Sequence, residues 1–185
     1  MRANWFIALP IEPGEWFARV AAPPSGLRMF APTDLHLTVA FLGGVSEEAA
    51  RAAWAATVWS DGPRTVTLAE VAPMGAPHRY SALSLLLDQG RSEIEAEMTR
   101  SRGPAYAAAG TSPDARPAKA HITIARPKRH ATDAERAAGL EWARAIDLRG
   151  TPVRLETIAL YTWSEDRASK LFRTTMVSSI SPRGA

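Results

Sequence analysis

The sequence predicts an α+β protein of two similar, mainly antiparallel lobes, and two observations carry that prediction. The first is an internal echo: His36-Leu37-Thr38-Val39-Ala40-Phe41-Leu42 returns 85 residues later as His121-Ile122-Thr123-Ile124-Ala125-Arg126. The second is the order of elements. It runs strand, helix, motif strand, helix, strand, strand, then helix, motif strand, helix, strand, strand, which is close to one unit repeated. Lobes of about 90 residues are small for independent cores, so residues 1–185 read as one bilobal domain, with motif strand 36–42 in one lobe and 121–126 in the other.

Each element has a local reason. Trp5 to Leu9 is an apolar run stopped by Pro10, a short buried strand. Pro13 suits the first turn of a brief helix over 13–21, and Pro23-Pro24-Ser25-Gly26 is a loop. Met29 to Ala31 is a strand stub, and Asp34 leads into the first motif strand, which Gly43-Gly44 ends. Ser46 is an N-cap for a helix to about Trp59, with Glu47 and Glu48 favoured by the helix dipole. Asp61-Gly62-Pro63 is a turn, Thr65 to Ala69 alternates as a half-buried strand, Met74 to Arg79 is a loop, and Tyr80 to Leu87 is the next strand.

Ser92-Glu93-Ile94-Glu95 fits a capping box, so a helix is expected from there to Gly103-Pro104. Ala105 to Ala120 lacks periodicity and reads as a long basic loop. Pro127 stops the second motif strand. Thr132-Asp133-Ala134-Glu135 is another capping box, opening a helix to about Ile146. Val153 to Tyr161 and Leu171 to Val177 then form a strand pair joined through Ser164 to Ser169.

Composition excludes some chemistry. With no cysteine, disulfides, thiolate nucleophiles and cysteine-based zinc or iron-sulfur sites are out, and 46% hydrophobic with 22% charged residues is a globular balance. The apolar run near the start is too short for a secretory signal, and no run approaches a membrane span. A cytoplasmic monomer without membrane contact is expected. The net charge of +3 is unevenly spread, since Arg116, Lys119, Arg126, Lys128 and Arg129 gather around the second motif with Asp114 as the local acid. Such a cluster is either a solvated face or a site for a phosphate-bearing ligand.

Side chains alternate along a strand, so each His-x-Thr presents an imidazole and a hydroxyl on one face while Leu37, Val39, Ile122 and Ile124 point the other way. Two imidazoles in one groove make a metal-free acid and base, because histidine titrates near 6.5. The hydroxyls can donate to anionic oxygens. Zinc is the competing reading, but it needs three or four ligands and finds no close histidine pair here. His78 and His130 lack the threonine and read as exposed loop residues. Among the tryptophans, Trp16, Trp54 and Trp142 read as core, and Trp163 as the one to test as a base platform.

On these residues the chain resembles the 2H phosphoesterases, in particular the bacterial 2′-5′ RNA ligase or RNA 2′,3′-cyclic phosphodiesterase branch. The resemblance extends to the opening Phe6-Ile7-Ala8 strand and the late Leu160-Tyr161 strand. It implies two pseudo-symmetric lobes, each a mainly antiparallel sheet with flanking helices, around a central cleft, with no metal and no cofactor. It also implies His36 as proton donor, His121 as proton acceptor, and Thr38, Thr123 and Arg126 as phosphate-binding residues. The pattern departs at three places: Asn4-Trp5 replaces an arginine common before the opening strand, Ala120 a proline before the second histidine, and Phe172 a tyrosine in the last strand.

The function this implies is opening of a 2′,3′-cyclic phosphate at an RNA end to leave a 2′-phosphate, with a small cyclic nucleotide phosphate as an alternative substrate. The same site could join RNA ends through a 2′-5′ bond or cleave 2′-5′ oligonucleotides. A non-catalytic RNA-binding module is the alternative from another class, and the two complete His-x-Thr pairs argue against it.

Overall fold

The computed structural model describes residues 3–59, 62–166 and 170–180. Along the chain come β1 (Trp5–Pro10), α1 (Gly14–Ala18), β2 (Leu27–Met29), a 3₁₀ turn (Pro32–Asp34), β3 (His36–Gly43), α2 (Glu47–Ala56), β4 (Arg64–Met74) and β5 (Ala82–Leu87). Then come α3 (Arg91–Ala109), β6 (His121–Pro127), α4 (Asp133–Ala145), β7 (Pro152–Leu155), β8 (Thr157–Trp163) and β9 (Phe172–Ser179). The strands join in the order β7-β4-β5-β6-β3-β1-β8-β9, with β2 added on β6. All the pairings are antiparallel. This is the α+β architecture that the sequence predicts.

The two motif strands are neighbours in the middle of that order, and this fact positions the site. Their flanking partners are β1 on one side and β5 on the other, all apolar at alternate positions: Ile7, Leu9, Leu37, Leu83, Leu85, Ile122 and Ile124 are fully buried. At about 25 cal/mol per Å² of apolar surface removed from water, burial of this central run stabilises the middle of the sheet. Asp34 fastens the far end of the chain to the first motif. Its buried carboxylate accepts the backbone N–H groups of Leu171 (2.9 Å) and Phe172 (3.2 Å) at the start of β9.

Helix α4 begins as the sequence indicates. Thr132 Oγ1 accepts Glu135 N–H at 3.2 Å, and the Glu135 carboxylate accepts Thr132 N–H at 2.8 Å. Ser46 likewise caps α2, accepting Ala49 N–H.

Helix α3 corrects two expectations. Its cap is Gly90, at φ +80°, and not Ser92, whose hydroxyl turns to the Glu93 carboxylate. It also continues through Pro104 to Ala109, so the loop is 110–120. An internal proline costs about 3 kcal/mol, but Pro104 sits on the exposed face while Ala105, Tyr106 and Ala109 on the other side are buried. Burial of that face offsets the lost hydrogen bond. Gly110, at φ +66°, ends the helix.

The expected strand 153–161 is two strands. β7 pairs with β4, and β8 with β1 and β9, so Glu156 is where the chain crosses between ends of the strand order. Strand β4 runs on through Pro73 to Met74. Its pairing with β7 stops at Thr67, so Pro73 needs no N–H on that side. Helix α1 is only five residues long, and α2 ends at Ala56. The expected turn at Asp61 and the part of the 164–169 connection at 167–169 lie outside the described residues. Among the described residues, no helix is long and apolar enough to cross a membrane.

Candidate active site

The site follows from one register pair. Strands β3 and β6 run antiparallel with Leu37 opposite Ile122, the middle residues of the two His-x-Thr triplets. One step to either side sets His36 level with Thr123 and Thr38 level with His121. Leu37 and Ile122 are both fully buried, so alternation turns the histidines and threonines to the opposite, cleft face. The motifs therefore meet head to tail, each histidine beside the other's threonine.

Each motif strand then bulges at the same place. Ile7 faces Ala40 while Ala8 faces Thr38, leaving Val39 as the extra residue. In the second motif Leu83 faces Ala125 while Ser84 faces Thr123, leaving Ile124 extra. A bulge shifts the alternation by one residue and re-aims the side chains beyond it. Phe41 and Arg126, three positions beyond the threonines, would lie on the far face of unbroken strands. Both instead line the cleft.

The imidazoles are held alike. His36 Nδ1 lies 2.7 Å from the Asp34 carbonyl, and His121 Nδ1 lies 2.7 Å from the Lys119 carbonyl. A carbonyl only accepts, so each Nδ1 carries a proton and each Nε2 is the nitrogen left for chemistry. Their surroundings differ. His36 is boxed by Phe6 (4.9 Å between ring centres), Phe172 (5.3 Å, edge-on) and Tyr161 (5.7 Å). This desolvation, with Arg126 and His121 nearby, lowers its pKa to about 4 against the pull of the Asp34 carbonyl. Burial also lowers His121, helped by Lys119 and Arg126. At neutral pH both shifts favour the neutral imidazole.

The hydroxyls and cations complete the cleft. Thr123 is buried and its hydroxyl lies 3.1 Å from that of Ser84, a fully buried serine directly across on β5. Arg126 is exposed and rests its guanidinium over the Phe30 ring at 5.4 Å. Around them a cavity of about 690 Å³ is lined by Thr38, Phe41, Arg102, Tyr106, Lys119 and His121 among others. Tyr106 is buried and hydrogen-bonds the Phe41 backbone. Phe41 itself is 54% exposed, an aromatic ring open to the cleft. Arg116 also lines the cleft, bonded to Asp114 at 2.7 Å.

Of the residues singled out by sequence, Thr38, His121, Thr123 and Arg126 line this cavity, and His36 lies within electrostatic reach of His121 and Arg126. Lys128, Arg129, His78 and His130 are outside its lining. Trp163 is half-buried against the core and is not a lining residue, while Trp16 is buried as expected. Sequence reasoning missed Ser84, Phe41 and Tyr106. Phe41 had a signal: it holds in the first motif the place of Arg126 in the second. Among the described residues no group of three or more His, Asp or Glu could hold a metal ion.

Neither a family model nor a curated protein matches the chain. Solved structures do. Escherichia coli LigT complexed with 3′-AMP is similar at TM-score 0.69 and 23% identity, over 97% of this chain and 99% of that one. A structure described as a phosphoesterase reaches TM-score 0.71 at 23% identity, over 97% and 99%. TT0787 of Thermus thermophilus reaches 0.66 at 20% identity, over 98% and 100%. The chain has the fold of these proteins along nearly all of its length. LigT structures also hold ATP and NADP+.

Proposed function

We propose that the chain is a 2H phosphoesterase that opens the 2′,3′-cyclic phosphate of an RNA end or small cyclic nucleotide to a 2′-phosphate, without a metal. The observation that supports this most is the head-to-tail meeting of the motifs, which brings two carbonyl-tied imidazoles and two hydroxyls to one face of the sheet. A space of about 690 Å³ suits a nucleotide-sized ligand, and the solved LigT complexes with 3′-AMP, ATP and NADP+ fit such a partner.

In this reading His121 Nε2 accepts a proton from water as its oxygen bonds to phosphorus. The bond from phosphorus to O3′ breaks on the opposite side, and O3′ takes the proton of His36 Nε2. The two rings exchange protonation states, and solvent restores them. In-line displacement requires base and acid on opposite sides of phosphorus. The phosphate's negative charge raises His36, which loads the acid as substrate arrives. Thr38 and Thr123 donate to the non-bridging oxygens, and Arg126 meets them with its planar fork. Lys119, Lys128 and Arg129 hold the body of a longer RNA through its phosphates.

The test is turnover of a short RNA ending in a 2′,3′-cyclic phosphate, in chelator, with the product read by phosphorus NMR. A 2′-phosphate with a free 3′ hydroxyl is expected. Predominant 3′-phosphate would exchange the roles of His36 and His121. Tight RNA binding without turnover would make the protein a binding module. Joining of ends through a 2′-5′ bond is the reverse type of chemistry at the same groups, and adding an RNA with a free 5′ hydroxyl to the same assay measures it.

A further inference from the structure

The two imidazoles are tied to backbone carbonyls at the same distance, but the peptides that hold them are supported differently. The Lys119 carbonyl that accepts from His121 belongs to the Lys119–Ala120 amide, and the N–H of that same amide donates to Glu95 Oε1 at 3.0 Å. Glu95, on α3, also accepts Arg91 Nε at 2.9 Å through the same oxygen. On the other side, the amide whose Asp34 carbonyl accepts from His36 donates its Leu35 N–H to the Pro32 carbonyl at 3.3 Å. One ring is backed by a carboxylate, the other by a neutral carbonyl at longer range.

An amide is conjugated from N–H to oxygen, so an anion at the N–H end increases the negative charge on the oxygen. Bonds in such a chain strengthen one another, more so where one partner is ionised. We propose that Glu95 is a positioning residue for His121: its carboxylate polarises the Lys119–Ala120 peptide, locks Nδ1 as the donor, and stabilises the ring when it is protonated. This rests on reading the site as an acid–base pair, and it gives the proton-accepting role to His121.

The other charged groups around His121 are nearly all cations. Lys119 and Arg126 belong to its own segment, Arg28 stands across the β2–β6 register, and Arg102 reaches the cleft from α3. Arg116 is tied to Asp114, and Glu97 on α3 is tied to Arg100. The neighbouring β5 contributes no charged side chain, and β3 contributes His36. Glu95 is thus the carboxylate joined to the ring by an unbroken chain of bonds. Ala120 makes that chain possible, since proline, common at this place in the family the sequence resembles, has no N–H.

The experiment is an NMR titration of the histidine ring protons in the full chain without substrate. Glu95→Gln keeps an acceptor oxygen but loses the charge. Ala120→Pro keeps the carboxylate but removes the donor. Both are expected to move the His121 midpoint to lower pH, leave that of His36 in place, and lower kcat/KM on a cyclic mononucleotide by about threefold to tenfold. An unmoved His121 in Glu95→Gln would overturn the proposal, as would equal movement of both histidines, which would mark general loosening. Because the midpoints are read without substrate, a protein that turns over no cyclic phosphate would end the functional reading and leave this one standing.

Discussion

Strands β3 and β6 offer the same geometry to different chemistry. Each carries His-x-Thr with the middle residue buried, each ties Nδ1 to the carbonyl two residues back, and each bulges immediately after the threonine. The side chains then diverge. The first half encloses its imidazole in Phe6, Tyr161 and Phe172 and ends on Phe41. The second sets its imidazole beside Lys119 and ends on Arg126, with Glu95 behind it. Backbone pairing can make two places equivalent in position, but protonation is set by dielectric and charge. Burial lowers both rings, His36 inside an aromatic box and His121 among cations with a carboxylate behind its carbonyl, and in the proposed reaction the first gives a proton and the second takes one.

The bluntest way to break the comparison is to remove either ring. His36→Ala and His121→Ala are each expected to lower kcat on a cyclic-phosphate RNA by about 10²- to 10⁴-fold, and the double variant by little more, because the rings act as one unit. Activity is expected to survive EDTA. Loss in chelator with recovery on adding zinc or magnesium would replace the acid–base pair by a metal centre.

The aromatic box gives a stability difference between the halves. His36 is lowered from 6.5 to about 4 in the folded protein, so between those values the unfolded chain takes up the proton and the folded one resists it. Stability from this source is complete above pH 6.5 and lost as pH falls towards 4. The full effect is about 3 kcal/mol. His121, also lowered, adds to it with the same sign. Urea midpoints at pH 7 and pH 4.5 measure this, and His36→Gln is expected to flatten the acid dependence. An equally steep variant would mean that the ring is not held neutral.

Phe41 and Arg126 occupy equivalent places after the bulges, and exchanging their roles sharpens the comparison further. Removing a charged hydrogen-bond donor costs about 1.5–3 kcal/mol, roughly 10- to 150-fold. Arg126→Ala is therefore expected to lower turnover even on a mononucleotide cyclic phosphate. Phe41→Ala is expected to raise KM, by up to about the 1–3 kcal/mol of one base–aromatic stack, with kcat little changed. A Phe41 effect on kcat equal to that of Arg126 would mean that both halves contact the phosphate.

Sequence made the motif strands, the α4 capping box and the α+β class legible because each rests on a local pattern. The features that create the asymmetry are not local. Unbroken alternation puts Arg126 on the face away from His121, and only the bulge at Ile124, defined by pairing with β5, turns it back. Glu95 stands at the fourth place of a Ser-x-x-Glu pattern and reads as a cap, yet it spends its carboxylate on Arg91 and Ala120. Burial of Tyr106 and its neighbours carries α3 past Pro104, a tertiary override that a proline's local cost conceals. The break at Glu156 leaves only a faint local mark, since Val153 to Leu155 alternates and Ile158 to Tyr161 is a continuous apolar run, and it is the change of partners that makes two strands of them.

The smallest expected effect belongs to Ser84. It lies directly opposite Thr123, is fully buried, and places its hydroxyl 3.1 Å from the threonine's. If Thr123 gives its proton to the phosphate, Ser84 must be the donor between the two. The serine then orients a hydroxyl that could otherwise rotate, without touching the ligand itself. Ser84→Ala removes that donor and leaves Thr123 in place, at a cost of about 1 kcal/mol or roughly fivefold. The loss is expected in kcat more than in KM, because the oriented hydroxyl meets charge that grows as the transition state forms. Thr123→Val removes the donor to the phosphate and is expected to make the Ser84 substitution silent in the double variant. Full additivity of the two would show that Ser84 acts on packing and not through Thr123.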